Sequence, residues 1–313
     1  MIRLGTRASA LALAQATWVA ERLPEPAELV RITTAGDRGA PRVDKSRWVS
    51  ALELALLEGE IDLAVHSAKD VPAQLAPGLQ VLAIPSRADP RDALCGARSL
   101  SELAPGARVG TSSLRRAAQL RALRQDLRVV ELRGNVDTRL AKLDAGEADA
   151  LVLAAAGLER LGRAERAGAL LEQLVPAAGQ GALLLEGRPG ALGEALLRAL
   201  DDPLASACVA AERELVGALG ASCNTPVGAH ASPSAGGRLE LRAWVGLPDG
   251  SAWISDRLEG PPAGLGAAVA ERLLAVGAGE LLVRAEREAQ RVGDPGAGRE
   301  SELGAGRMSE PRS

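Results

Sequence analysis

Over its first half the chain alternates short apolar runs with helix-length segments, and this alternation most constrains its fold. Residues 2–4 read as a strand, and Ser9 stands where it can cap a helix over 10–23 that stops before Pro24. A second strand is expected at 29–33, a helix at 51–58, and a buried strand at 61–65 that runs into His66-Ser67-Ala68-Lys69-Asp70. Such alternation implies a mostly parallel sheet with helices on both faces. In sheets of this kind ligands sit beyond the carboxyl ends of the strands. The 66–70 stretch lies at one such end.

A second segment of the same kind starts near Asp92. A strand at 108–109 ends in Gly110-Thr111-Ser112-Ser113, and a helix is expected at 114–123. A strand at 128–132, the loop Arg133-Gly134-Asn135, a helix at 136–143 and a buried strand at 148–154 follow. The stretch 176–181, with Gly179-Gln180-Gly181, reads as a crossing back toward the first lobe. From about Asp202 the pattern changes. A helix at 204–219 leads into Ala221-Ser222-Cys223-Asn224-Thr225-Pro226, and Leu239, Leu241 and Ala243 then alternate with charged residues as in a half-buried strand. Pro248-Asp249-Gly250 signals a hairpin, 253–258 returns, and a last helix is expected at 264–276.

At 313 residues the chain is longer than the ~250 that a single core usually supports. The fold class expected is α/β: two doubly wound lobes flanking a cleft, in the manner of periplasmic binding proteins, plus a small α+β domain. The boundaries expected are 1–86 with 182–200 for the first lobe, 91–176 for the second, and 203–284 for the third domain. A Gly-, Arg- and Glu-rich tail at 285–313 is expected to be disordered. No internal repeat is visible.

Composition excludes several function classes. No apolar run approaches the ~18 residues of a membrane span, and Met1-Ile2-Arg3-Leu4-Gly5 enters a strand with no signal-peptide organisation. Three cysteines make no disulfide framework and two histidines no His-rich metal site. The expectation is a cytoplasmic, reduced, metal-free protein, and a monomer is expected. Aromatic content of 1% and a net charge of −3 speak against nucleic-acid binding.

Charge is nevertheless unevenly placed. Between Arg108 and Arg139 stand eight arginines and three acids, which invites an anionic ligand. Arg115 and Arg116 open a helix behind Thr111-Ser112-Ser113, so helix-terminal amides and guanidiniums could converge on one anion. Arg133 and Arg139 flank the next helix start, whereas Arg121, Arg124 and Arg128 fit solvated helix faces. Asp70 is either a turn carboxylate before a proline or a charge at the cleft mouth. His66 fits a structural role equally well, and a lone cysteine such as Cys223 is more often a small buried hydrophobe than a nucleophile.

Seven stretches occur in order: Leu4-Gly5-Thr6-Arg7-Ala8-Ser9, His66-Ser67-Ala68-Lys69-Asp70-Val71-Pro72, Asp89-Pro90-Arg91-Asp92-Ala93, Gly110-Thr111-Ser112-Ser113-Leu114-Arg115-Arg116, Leu132-Arg133-Gly134-Asn135, Gly157-Leu158-Glu159-Arg160-Leu161-Gly162 and Gly179-Gln180-Gly181. Together they make the chain resemble the porphobilinogen deaminase (hydroxymethylbilane synthase) family from Arg3 to roughly Val283. The resemblance implies a three-domain transferase of tetrapyrrole and heme biosynthesis. It would deaminate four porphobilinogen molecules and join them head to tail, primed by a dipyrromethane cofactor held covalently on a cysteine. The family's Gly-Gly-Cys-Gln-Val-Pro type loop corresponds to Ala221-Ser222-Cys223-Asn224-Thr225-Pro226, which assigns the thioether to Cys223.

By the same resemblance Asp70 is the catalytic carboxylate, and Arg7, Arg115, Arg116, Arg133, Arg139 and Arg160 line the cleft. Ser9, Ser67, Lys69, Thr111, Ser112, Ser113, Gly134, Asn135 and Gln180 would contribute substrate or cofactor contacts. The family's lid, a longer segment ending in Lys-Gly-Leu-Phe, is short here. Lys45 keeps a lysine and Trp48 stands where the aromatic would be. Two rival readings are a non-catalytic two-lobed binding protein for a small anionic ligand and an RNA-binding module using the 108–139 arginines. The cysteine-bearing third domain argues against the first, and composition against the second.

Overall fold

The computed structural model describes residues 1–33, 46–221 and 225–293. Lys45, Cys223 and residues 294–313 lie outside the described residues, as does the side chain of Trp48. In chain order the first lobe consists of β1 (Ile2–Arg7), α1 (Ala10–Ala20), β2 (Ala27–Ile32), α2 (Ser46–Leu57), β3 (Leu63–Ser67) and β4 (Gln80–Ala83). The second comprises β5 (Asp92–Cys95), β6 (Arg108–Gly110), α3 (Leu114–Leu123), β7 (Arg128–Val130), α4 (Val136–Asp144), β8 (Ala150–Ala154), α5 (Ala155–Arg160) and β9 (Ala169–Leu171). The chain returns to the first lobe as β10 (Leu183–Gly187) and α6 (Glu194–Leu200). The third domain holds α7 (Pro203–Ala218), β11 (Val227–Pro233), β12 (Leu239–Gly246), β13 (Trp253–Gly260), α8 (Leu265–Ala275) and α9 (Ala278–Gly293).

The two lobes repeat one topology. Each has a five-stranded sheet, ordered β2-β1-β3-β10-β4 in the first and β7-β6-β8-β5-β9 in the second. The first three strands of each run parallel, and the last two alternate antiparallel. The sheets are therefore mixed rather than mostly parallel. The antiparallel fourth position is filled in each lobe by a strand adjoining a crossover, β10 or β5, so two crossovers join the lobes. They run over residues 84–91 and 172–182, and Ala88 N donates to Gly181 O across them at 3.2 Å. A second touching point is Gly157 of α5 against Leu11 of α1.

Local chemistry accounts for the elements that flank the cleft. Ser9 Oγ accepts from Ala12 N at 3.3 Å and starts α1, whose Ala12, Gln15, Ala16 and Val19 share the buried face. Asp202 caps α7 and Pro203 opens it. In β12 the alternating Leu239, Leu241, Ala243 and Val245 point into a core closed by Leu215, Val269 and Leu273. Helix α7 is shared: Cys208, Ala211 and Leu215 face that core, while Ala205 and Val209 pack on Val71, Ile84 and Leu184 of the first lobe.

One expectation is corrected at the C-terminus. The disordered tail expected from 285 does not start there, because α9 runs to Gly293. Leu281, Leu282 and Ala285 recur at helical spacing and are buried in the third domain's core.

Candidate active site

The parallel strands of both lobes end on the residues the sequence singles out. Arg7 closes β1, and Ser67 closes β3 and leads into a single 3-10 turn, Ala68–Asp70. In the second lobe Thr111, Ser112 and Ser113 follow β6, Arg133, Gly134 and Asn135 follow β7, and β8 runs directly into α5, which ends at Arg160. The turn bearing Lys69 and Asp70 is pinned from the front, where Ala68 N donates to Ala182 O at 3.0 Å. Gly179 packs directly on Ala68 and the Lys69 amide.

Several predicted contact residues hold the fold. Ser9 and Asn135 are helix caps; Asn135 Oδ1 accepts from Thr138 N at 2.9 Å. Ser113 caps α3, and its own amide donates to Thr111 Oγ1 at 3.2 Å. Ser67 Oγ accepts from Gln15 Nε2 at 2.8 Å. Gln15 was not singled out by the sequence. Its position on α1's buried face is the signal, since a glutamine there needs a polar partner. His66 takes its structural option, with Nε2 2.9 Å from Glu186 Oε2 and both side chains buried.

The main correction concerns Arg115, Arg116 and Gln180. The arginines do not converge on an open anion site; each is only 5% exposed and both grip Asp92. Asp92 accepts from Arg115 Nη1 at 2.7 Å and Nη2 at 3.1 Å, from Arg116 Nε at 2.8 Å and from Gln180 Nε2 at 2.8 Å. Burial alone would raise the pKa of Asp92, but the charges of Arg115 and Arg116 outweigh it and hold the carboxyl well below the usual range. One carboxylate balances only one of the two guanidiniums. Gln180 Nε2 also donates to Pro90 O at 2.7 Å, so the cluster locks the two crossovers together.

Beyond this cluster lies Arg139. Its Nε is buried without a hydrogen-bond partner, and no carboxylate of the described residues reaches ion-pair distance. Burial first, and the charge of Arg116 second, lower its pKa. Arg133 is 62% exposed and pairs with Glu131 at 3.0 Å. Arg160 Nη2 donates to Gly181 O at 2.7 Å, and burial pulls its guanidinium down to about 10. The second lobe thus presents a mouth in which Arg139 has no ion-pair partner among the described residues.

Glu212 of α7 was also missed. Fully buried, it accepts from Arg87 Nη1 and Ala231 N, each at 2.7 Å, and from Gly179 N at 2.6 Å. It thereby ties both crossovers to the third domain. The two described cysteines are poor nucleophiles: Cys95 and Cys208 are buried, which pushes each thiol up to about 11. No helix among the described residues is long and apolar enough to cross a membrane.

Taken together, two crossover-linked α/β lobes with charged strand ends, joined to a third α+β domain, define a two-lobed, three-domain α/β protein. Comparison with known proteins narrows this. The porphobilinogen deaminase dipyromethane cofactor-binding domain matches residues 2–192, and the porphobilinogen deaminase C-terminal domain matches 206–275. Porphobilinogen deaminase of Thiobacillus denitrificans is 49% identical over 90% of this chain and 97% of that protein. Those of Deinococcus deserti and Thermus thermophilus are each 46% identical, over 92% and 91% of this chain and 99% of each relative. Among solved structures, the methionine-binding protein MetQ aligns at a TM-score of 0.40 and 16% identity, over 68% of this chain and 89% of that one. The chain belongs to the porphobilinogen deaminase family. A stand-alone binding protein is not favoured, since the family match includes the third domain.

Proposed function

We propose that this chain deaminates four porphobilinogen molecules and joins them head to tail into hydroxymethylbilane, with Asp70 as catalytic carboxylate and Cys223 as the attachment point of a dipyrromethane. It works as a cytoplasmic monomer, without nucleic acid or metal. One juxtaposition carries the reading: the Ala68–Asp70 turn and the Arg115–Arg116–Asp92 cluster flank the same crossover, Gly179 touching the turn and Gln180 the cluster. Asp70 therefore stands near a strand-end region where Arg139 has no ion-pair partner among the described residues, which suits a cationic reacting centre with carboxylate substituents.

The residues present fit the cofactor. Its pyrroles carry acetate and propionate groups, and Arg139 offers a desolvated guanidinium whose Nε has no partner among the described residues. Arg7, at the end of β1 in the first lobe, and Arg133, after β7 in the second, complete the carboxylate-binding set. When bound, the dipyrromethane supplies the nucleophilic pyrrole carbon from which the chain grows. Asp70 accepts the substrate's pyrrole N–H and offsets the positive charge that develops as ammonia leaves the aminomethyl group. Gln15 orients Ser67 beside it. Cys95 and Cys208, both buried, leave Cys223 as the cysteine for the thioether.

The test is single-turnover ammonia release by the parent, Asp70→Asn and Asp70→Glu, each with cofactor content verified by intact mass. Asp70→Asn should slow release by ~10²–10³ with little change in substrate affinity, and Asp70→Glu should retain part of the rate. Release by loaded Asp70→Asn at the parent rate would reduce Asp70 to a turn carboxylate.

A further inference from the structure

Every fourth residue of α7 meets the chain just after Asp70. Ala205 and Val209 pack in one cluster with Val71, and Gly217 contacts Ala73. Between them on the same ridge stands Arg213. Its Nη1 donates to Val71 O at 3.1 Å, and its Nη2 to Pro72 O at 2.7 Å and Ala73 O at 3.1 Å. No carboxylate among the described residues lies within ion-pair distance of it. A charged group without a counter-ion, partly withdrawn from water, is a costly way to hold three carbonyls if stability alone is served. A fork of fixed geometry, however, defines the position of a backbone segment better than an apolar contact does.

The segment it holds has few other ties of its own. Pro72 has no N–H to give, and Val71 N bonds only back to Ala68 O at 3.2 Å. The front of the turn is fixed to the first lobe through Ala182 O, and its rear is fixed to α7. The same helix continues into the loop bearing Cys223, whose described ends are tied by Ala221 N to Val216 O at 3.2 Å and Val227 N to Thr225 O at 3.0 Å. We infer that Arg213 is a positioning residue, which fixes Asp70 relative to α7, the helix that precedes the Cys223 segment in the chain. This rests on the assignment of Asp70 as the catalytic carboxylate. Arg213 touches no reacting atom and acts through the backbone of residues 71–73.

A double-mutant cycle on the full-length, cofactor-loaded protein separates this from a structural role. Arg213→Met keeps the stem and removes the fork, and Arg213→Lys keeps the charge as a single point donor. In the parent background Arg213→Met should lower kcat about 10- to 100-fold, since misplacement by ~1 Å costs up to ~10², with KM within about twofold. Arg213→Lys should recover part of this loss, and it carries the same cycle if Arg213→Met does not accumulate folded. In an Asp70→Asn background either substitution should change the rate less than about twofold. Hydrogen exchange in the cofactor-free protein should quicken in peptides spanning 68–75. Equal fold-losses in both backgrounds, or unchanged exchange at 68–75, would overturn the inference. Parent-rate ammonia release by Asp70→Asn alone would instead sink the reading of Asp70 on which it stands.

Discussion

Replacing Arg139 should move stability and activity in opposite directions. The arginine sits in the first turn of α4 with its Nε buried and unbonded, beside the like charge of Arg116. In the empty protein this is a liability, since an unsatisfied buried donor costs ~1–3 kcal/mol. Arg139→Met retains the packing of the stem and removes both the unsatisfied donor and the repulsion. The cofactor-free variant should therefore be more stable than the parent, by about 1 kcal/mol once imperfect packing is allowed for. In the loaded enzyme the same change removes a charge-assisted contact to a pyrrole carboxylate, worth ~1.5–3 kcal/mol. That corresponds to a factor of about 10–150 per step.

Urea denaturation of the cofactor-free proteins measures the first effect, and mass spectrometry of stalled enzyme–intermediate complexes the second. Arg124→Met is the control of opposite sign. Arg124 pairs with Asp126 at 2.7 Å and donates to the carbonyls of Leu100 and Leu103, so its loss should cost stability and leave elongation intact. A destabilised Arg139→Met that elongates at the parent rate would show that this guanidinium serves the fold.

Asp92→Asn should destabilise the protein by ~3–5 kcal/mol in urea, because two buried guanidiniums lose the anion they share. Asp92 and Glu212 both have pKa values lowered in the fold, so the unfolded chain binds protons first: their stabilisation is full above about pH 5 and is lost as pH falls below it. Stability of Asp92→Asn should accordingly fall less steeply with acid, and a slope equal to the parent's would contradict the pairing. In cofactor-free protein at pH 8, iodoacetamide should modify Cys223 alone until denaturant is added, since burial pushes Cys95 and Cys208 up to about 11; rapid native labelling at either buried thiol would refute this.

What the sequence made legible was local. Ser113 and the apolar spacing behind it place α3 at Leu114–Leu123, as read from the sequence; β8 follows from an unbroken apolar run, and β3, expected at 61–65, lies two residues later at Leu63–Ser67. Of the antiparallel strands, β12 and β13 were legible from alternation and a hairpin turn, whereas β4, β5, β9, β10 and β11 were missed because their cause is distant. Asp92–Cys95 is four residues long and becomes a strand by pairing with β8 and β9. In β11 a glycine and a proline hide the period, which is enforced by seven partners in β12. The same limit governs the site. Residue types and strand-end positions were visible, but Arg115 meets its anion 23 positions away and Glu212 meets Arg87 125 positions away. Local pattern gives charges, and only the tertiary fold decides which of them cancel.

The crossover at Gly179 offers a direct check on that tertiary logic. Its φ is +71°, a region that costs other residues ~1–2 kcal/mol. A Cβ there would also stand 2.8 Å from Ala68 Cβ, 2.9 Å from Ala68 C and 3.0 Å from the Lys69 amide nitrogen. These are atoms of a pinned turn, not the end of a flexible side chain, so the turn bearing Asp70 must shift. Gly162 provides the reference, with φ +64° and nothing within 4 Å of an added Cβ. Gly162→Ala should cost only the backbone term, about 1 kcal/mol, and keep full activity. Gly179→Ala should cost about 2–3 kcal/mol, and kcat should fall while KM holds, because Asp70 is displaced rather than the carboxylate-binding arginines. If the two variants are equally stable and Gly179→Ala turns over at the parent rate, the crossover does not press on the catalytic turn, and the juxtaposition that joins Asp70 to the arginine cluster carries no mechanical consequence.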